Sequence, residues 1–288
     1  MVAMTFAGCG PPASAPRRSL RATNPFLPMS DLTVSFIQTA LHWHDAAANR
    51  AAFDQYLARQ TVPADIIVLP EMFTTGFSME AAGQAETMQG ETVAWMRRRA
   101  ADHDAVITGS VIIEEDGHFH NRLLWVRPDG SLSCYDKRHL FTLAGEQNTY
   151  TPGHERLVED WRGWRICPLV CYDLRFPVWS RNQPAAPYDL LLYVANWPAV
   201  RRTAWRTLLR ARAIENVACA LGVNRIGHDS PGHAYSGDSA LIDAKGGYLV
   251  EAHDQDNIFT HTLRRAELDD FRSKFTALND GDAFELVG

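Results

Sequence analysis

A chain of 288 residues, 46% hydrophobic and 22% charged, can bury a full core as one large domain or two small ones, which excludes a disordered tail or a fibrous repeat. No run approaches the roughly 18 consecutive apolar residues of a membrane span, so a membrane-spanning protein is excluded as well. The net charge is −6, and taking away Arg17, Arg18 and Arg21, the three charges of the first 28 residues, leaves −9 on the rest, a balance that repels a phosphate backbone and argues against nucleic-acid binding.

Residues 1–30 are rich in Ala, Pro, Gly, Ser and Arg and show no periodicity, so they read as a disordered tail or an over-extended start, with Met29 just ahead of the first regular run. They lack the basic-then-apolar order of a secretory signal, and a cytoplasmic location is expected. The five cysteines are odd in number and unevenly spaced, which fits a reducing compartment and leaves at least one thiol free to react. Residues 31–288 show no internal linker or repeat and are read as one domain.

Along that domain, Leu32 to Gln38 alternates like a strand, Asp45 to Gln60 carries apolar residues at helical spacing, and Ile66 to Leu69 is a short buried run. A helix from Glu91 to Asp102 precedes three strand-like segments from Ala105 to Tyr135, punctuated by Asp116-Gly117 and Pro128-Asp129-Gly130. Then follow a strand from Trp164 to Val170, a short helical stretch from Pro177, the buried run Leu190 to Ala195 and a helix from Arg202 to about Glu215. Strands at Ala218 to Asn224, Ser239 to Ile242, Tyr248 to Ala252 and Ile258 to Leu263 complete the pattern. Helices alternating with apolar strands predict a layered α/β or α+β domain.

Three polar residues each follow directly on a strand-like run, where layered α/β proteins place reactive side chains: Glu71, Lys137 and Cys171. Taken singly, each has a plain structural explanation: a solvated strand-end charge, a surface basic cluster, a buried core thiol. Together they form a kit for attacking a carbonyl or nitrile carbon through a thioester. A thiol with an ordinary pKa near 8.5 needs a base and a nearby cation, and the carboxylate and ammonium divide that labour. The ammonium can also hold the oxyanion, helped by a backbone N–H just after Cys171.

The stretches around these residues, Leu69-Pro70-Glu71-Met72-Phe73, Tyr135-Asp136-Lys137-Arg138-His139-Leu140-Phe141 and Val170-Cys171-Tyr172-Asp173-Leu174-Arg175-Phe176-Pro177, resemble the nitrilase superfamily of carbon–nitrogen hydrolases. Ala195-Asn196-Trp197-Pro198 and Arg210 to Asn216 add to the resemblance, which spans nearly everything after residue 31. It implies a four-layer αββα sandwich that pairs into a homodimer or larger homo-oligomer, with Glu71 as base, Lys137 as oxyanion stabiliser, Cys171 as nucleophile and the Tyr172 amide as oxyanion donor. It also implies a supporting glutamate after the lysine, with Glu146 the candidate and Glu155 the competitor. No cofactor or metal is implied. Asn196-Trp197-Pro198, Gly76-Phe77-Ser78-Met79 and the short Leu140 to Gly153 connection are similar to the ω-amidase branch, whose members remove the distal amide of 2-oxoglutaramate and 2-oxosuccinamate. Nitrilases and carbamoyl-amide hydrolases match less well. Arg175 is the candidate partner for the substrate carboxylate, against a structural ion pair with Asp173, and Trp197 is a candidate pocket wall.

Three other readings compete. His139 beside Lys137 could make a Cys-His hydrolase. The pairs His42/His44 and His118/His120 could serve a metal, although neither has a third ligand at usable spacing. Arg202, Arg206 and Arg210 could form a basic binding stripe, against a solvated helix face or a subunit contact, in a chain used as a binding module.

Overall fold

The computed structural model describes residues 30–282 and 284. The tail read into residues 1–30 lies outside them except for Ser30, which is anchored: its hydroxyl donates to the Arg162 carbonyl at 2.9 Å and its own carbonyl accepts from Trp164 Nε1 at 2.8 Å.

The first part of the domain runs β1 (Leu32–Gln38), α1 (Ala46–Ala58), β2 (Ile66–Val68), α2 (Ala81–Gln84), α3 (Glu91–His103), β3 (Val106–Glu115), β4 (His118–Val126) and β5 (Leu132–Asp136). Asp45 starts α1 by accepting the Ala48 N–H, which satisfies one of the helix's orphan donors. The second part runs β6 (Glu159–Trp161), β7 (Trp164–Val170), α4 (Pro177–Ser180), β8 (Leu190–Ala195), α5 (Arg202–Asn216), β9 (Cys219–Asn224), β10 (Ile226–His228), β11 (Ala234–Ser236), β12 (Ala240–Ile242), β13 (Tyr248–Glu251), β14 (Asn257–Leu263) and α6 (Arg265–Lys274). The expected strands and longer helices are present within two residues of their ends. The hairpin of β10 and β11, the short β6 and the final helix α6 were not expected from the pattern.

Two six-stranded sheets result, ordered β14-β1-β2-β3-β4-β5 and β13-β12-β9-β8-β7-β6. In each, three central strands are parallel, β1-β2-β3 and β7-β8-β9, and antiparallel neighbours flank them. Central parallel strands are covered on both faces, which is why β2, β8 and β9 are wholly apolar runs. Side-chain alternation sorts the layers. Val34, Phe36, Ile66 and Val68 share a core with Leu169, Val170 and Tyr193 of the other sheet, whereas Ile37, Ile67 and Ile107 pack with Phe53, Val93 and Met96 of α1 and α3. On the far side α5 packs on β9, where Gly222 admits it: a Cβ there would lie 2.6 Å from Leu209 and 2.7 Å from Trp205. The order of layers is therefore helix, sheet, sheet, helix.

The arginine stripe of α5 is spent inside the chain. Arg202 holds Asp238 with two bonds of 2.6 and 2.7 Å, Arg206 reaches Glu251 at 3.0 Å and Arg210 lies over Tyr248. No helix among the described residues is long and apolar enough to cross a membrane.

Candidate active site

The ends of β2, β7 and β8 deliver Glu71, Cys171 and Asn196 to one place, and the end of β5 delivers Lys137. Glu71 is fully buried and accepts three hydrogen bonds: Asn121 Nδ2 (2.8 Å) and Lys137 Nζ (3.0 Å) at Oε1, and the Asn196 N–H (2.7 Å) at Oε2. Lys137 Nζ also donates to both oxygens of Glu146, at 3.0 and 2.9 Å, and the Phe141 N–H donates to Glu146 Oε2 at 2.5 Å. Both carboxylates and the ammonium are removed from water, a costly placement that is tolerated because each partner is satisfied. Burial opposes the charge on Lys137, but Glu146 and Glu71 outweigh it and raise its pKa above the ordinary lysine value. Burial pushes Glu146 up, against the pull of Lys137.

Cys171 follows β7 on a left-handed backbone angle, φ +43°, and opens a short 3₁₀ turn, Cys171–Arg175. A non-glycine residue there is strained, a recurring feature of nucleophiles at a strand-to-helix turn. The Tyr172 N–H falls in the first turn, where backbone donors have no partner within the helix. Burial pushes the thiol well above its usual pKa, with Glu71 adding to the rise and Lys137 opposing it. Cys171 Sγ sits 3.9 Å from the Asn196 carbonyl.

Asp173 locks this turn to the lysine segment. Its carboxylate accepts from Tyr135 OH (2.7 Å), the Val170 N–H (3.0 Å) and the His139 N–H (3.1 Å), and it contacts His139 Nδ1 at 2.8 Å. The His139 ring is stacked on Phe176 with centroids 3.8 Å apart, so the imidazole of the Cys-His reading is a structural partner of Asp173. Asp173 makes no ion pair with Arg175, contrary to the structural explanation weighed for that arginine.

Cys171, Lys137 and Asn196 line a pocket of about 460 Å³ walled by Trp43, Phe77, Phe141, Tyr172, Trp197 and Tyr235. Arg175 and Trp197 both line it, with the guanidinium 5.1 Å over the indole. Of the two candidate glutamates, Glu146 is buried against the lysine and Glu155 is exposed. A larger cavity, about 540 Å³, lies between β14, α6 and the loop at Ala244, and holds none of these residues. His44 bonds Ser78, and His118 and His120 lie beside Thr151, so the histidine pairs are engaged separately.

Sequence reasoning missed Asn121, Arg201 and the β10–β11 hairpin, which brings Asp229, His233 and Tyr235 to the rim. Asn121 had a legible signal, two residues beyond Phe119 on an alternating strand, and its carbonyl accepts the Lys137 N–H at 3.0 Å. The hairpin had none, because its polar, glycine-bearing run resembles a loop.

Comparison with known proteins adds three findings. The carbon-nitrogen hydrolase family model matches residues 30–273. The chain is 49% identical over 90% of its length to the whole of an omega-amidase, YafV, of Yersinia enterocolitica, and 29% identical over 82% of its length to 90% of a 2-oxoglutaramate amidase of Bacillus subtilis. A crystal structure from Xanthomonas campestris, described as a CN-hydrolase superfamily protein with an arsenic adduct in the active site, superposes with a TM-score of 0.88 at 49% identity, covering 90% of this chain and all of that one.

Proposed function

Because the chain belongs to the carbon–nitrogen hydrolase family, we propose that this pocket hydrolyses the distal amide of small carboxylate-bearing amides of the 2-oxoglutaramate and 2-oxosuccinamate type to acid and ammonia. The observation that carries the reading is the meeting of three distant stretches, with Cys171 and Lys137 lining one pocket and the buried Glu71 hydrogen-bonded to Lys137, together with a full-length omega-amidase relative at 49% identity.

Attack begins as Cys171 Sγ adds to the amide carbon while its proton passes to Glu71, so that the raised thiol pKa is overcome only when a carbonyl is in place. Lys137 Nζ and the Tyr172 N–H hold the oxyanion; Lys137 is kept charged and immobile by the two carboxylates it bridges. Glu71 returns the proton to the nitrogen, and ammonia leaves a Cys171 thioester. Water then gives a proton to Glu71 and adds to the thioester carbon. Collapse releases the acid and restores the thiol with the proton from Glu71. Glu146 fixes the Lys137 ammonium through both its oxygens and is a positioning residue. At the other end of the substrate, Arg175 takes the carboxylate, and Trp197 is the wall on which that arginine rests.

We read residues 31–288 as a single hydrolase domain acting in the cytoplasm, and as a homodimer or larger homo-oligomer. The test is ammonia release from 2-oxoglutaramate, 2-oxosuccinamate, glutamine, asparagine, an N-carbamoyl amino acid and an aliphatic nitrile. The 2-oxo acid amides are expected to lead in kcat/KM by at least about 10-fold, and Cys171→Ser to abolish turnover. Preferential turnover of the nitrile or the carbamoyl compound would overturn the substrate assignment.

A further inference from the structure

Two guanidinium groups line the pocket, and the reaction as described uses one. Arg175 leaves the turn behind Cys171 and lies over Trp197. Arg201 comes from the turn between β8 and α5 and lies 5.0 Å over the Phe141 ring. The two are linked through one residue: Trp197 carries Arg175 on its face, and its Nε1 donates to the Arg201 carbonyl at 2.9 Å. Neither guanidinium has a hydrogen bond or ion pair to any described residue, whereas the adjacent Arg202 is fully engaged with Asp238. A guanidinium resting on an aromatic face keeps its planar edge of N–H donors open to a ligand.

The carboxylates of the same wall do not neutralise them. Asp229 is occupied by Tyr235 OH (2.8 Å), the His233 N–H (2.7 Å) and His233 Nδ1 (3.1 Å), and Glu80 forms no ion pair with either arginine. In a chain whose overall charge is −6, the pocket mouth thus presents two unspent cations.

We propose that Arg201 is a specificity residue that reads the group on carbon 2 of the substrate, so that the pocket takes 2-oxo acid amides and rejects 2-amino acid amides. The inference rests on the amidase reading above. The head of a 2-oxo acid offers only acceptors, two carboxylate oxygens and a keto oxygen, and a guanidinium pair offers only donors. With the carboxylate on Arg175, the keto oxygen is the acceptor left for Arg201. The corresponding amino acid brings an ammonium to that position, where a cation facing two guanidinium groups in a partly dry recess is repelled by both.

The test compares wild type, Arg201→Met and Arg201→Lys on 2-oxoglutaramate, glutaramate, which has no substituent at carbon 2, and glutamine, with thermal midpoints measured for each protein. Arg201→Met is expected to lower kcat/KM for 2-oxoglutaramate by roughly 30- to 100-fold, mainly through KM, to cost glutaramate several-fold less, and to narrow the 2-oxoglutaramate over glutamine ratio by at least about 10-fold. Arg201→Lys keeps the charge, retains part of that ratio, and serves should the methionine variant fold poorly. An equal loss on all three substrates, or an unchanged ratio in both variants, overturns the proposal. Wild type that releases no ammonia from 2-oxoglutaramate overturns the amidase reading itself, a result visible before any variant is made.

Discussion

Lys137 bridges two carboxylates that would otherwise repel each other across a buried space, and this gives Glu146 a measurable role. Glu146→Gln keeps the volume but sets an amide against the ammonium, removing one of the two charges that hold Lys137 protonated and in place. The expected outcome is a loss in kcat of about 10²- to 10³-fold, the scale of one lost oxyanion donor, with a smaller change in KM. Steady-state kinetics on 2-oxoglutaramate decide it; a variant that loses KM alone would place Glu146 in substrate binding. Burial raises Cys167 and Cys219 to about 12 and raises Cys171 as well; what sets Cys171 apart is position, since neither of the others lines its pocket.

The connection from Leu140 to Gly153 is the element on which the site depends most indirectly. It leaves β5 through Lys137, turns through two 3₁₀ segments that place Glu146, and returns to the strand end, where the Gly153 N–H donates to the Lys137 carbonyl at 3.1 Å. The return is close enough that a Cβ on Gly153 would lie 2.2 Å from the Asp136 carbonyl oxygen, a backbone atom that cannot swing aside. Gly153→Ala therefore pushes the connection off the residue preceding Lys137. We expect it to cost about 1–3 kcal/mol of stability and to lower kcat beyond what the lost folded fraction explains. Thermal unfolding and kinetics on the same preparation check this, and unchanged values in both would show that the strand end yields freely.

For the whole molecule, the helical side of the second sheet carries apolar groups that the chain itself leaves uncovered. Val178 of α4 is 52% exposed, Ile214 of α5 48% and Phe275, just past α6, 51%. The three elements are tied together: Arg181 donates to the Glu215 carbonyl and Arg272 to the Val217 carbonyl. Exposed apolar side chains on linked elements suit an isologous contact with a second copy. Light scattering on the eluting protein is expected to give a mass of at least twice 32.2 kDa, and Ile214→Glu to shift it toward the single-chain mass. Wild type at the single-chain mass would remove the dimer proposal while leaving the pocket chemistry standing.

Periodicity and apolar runs determined where β1, β7, β8 and α5 lie, because strands buried on both faces and an amphipathic helix must write those patterns locally. The same reading placed Glu71, Lys137 and Cys171 at strand ends, and the flanking motifs tied them to a family. Other features depend on partners far along the chain, and no local pattern records them. The three bonds accepted by Glu71 come from residues 50, 66 and 125 positions away. Asp173 turned to Tyr135 and His139 instead of its near neighbour Arg175, and that choice left Arg175 free to face the pocket. Arg201 and Arg202 are identical and adjacent, yet one meets an aspartate and the other a pocket, a difference set only by the direction in which the folded backbone points each side chain.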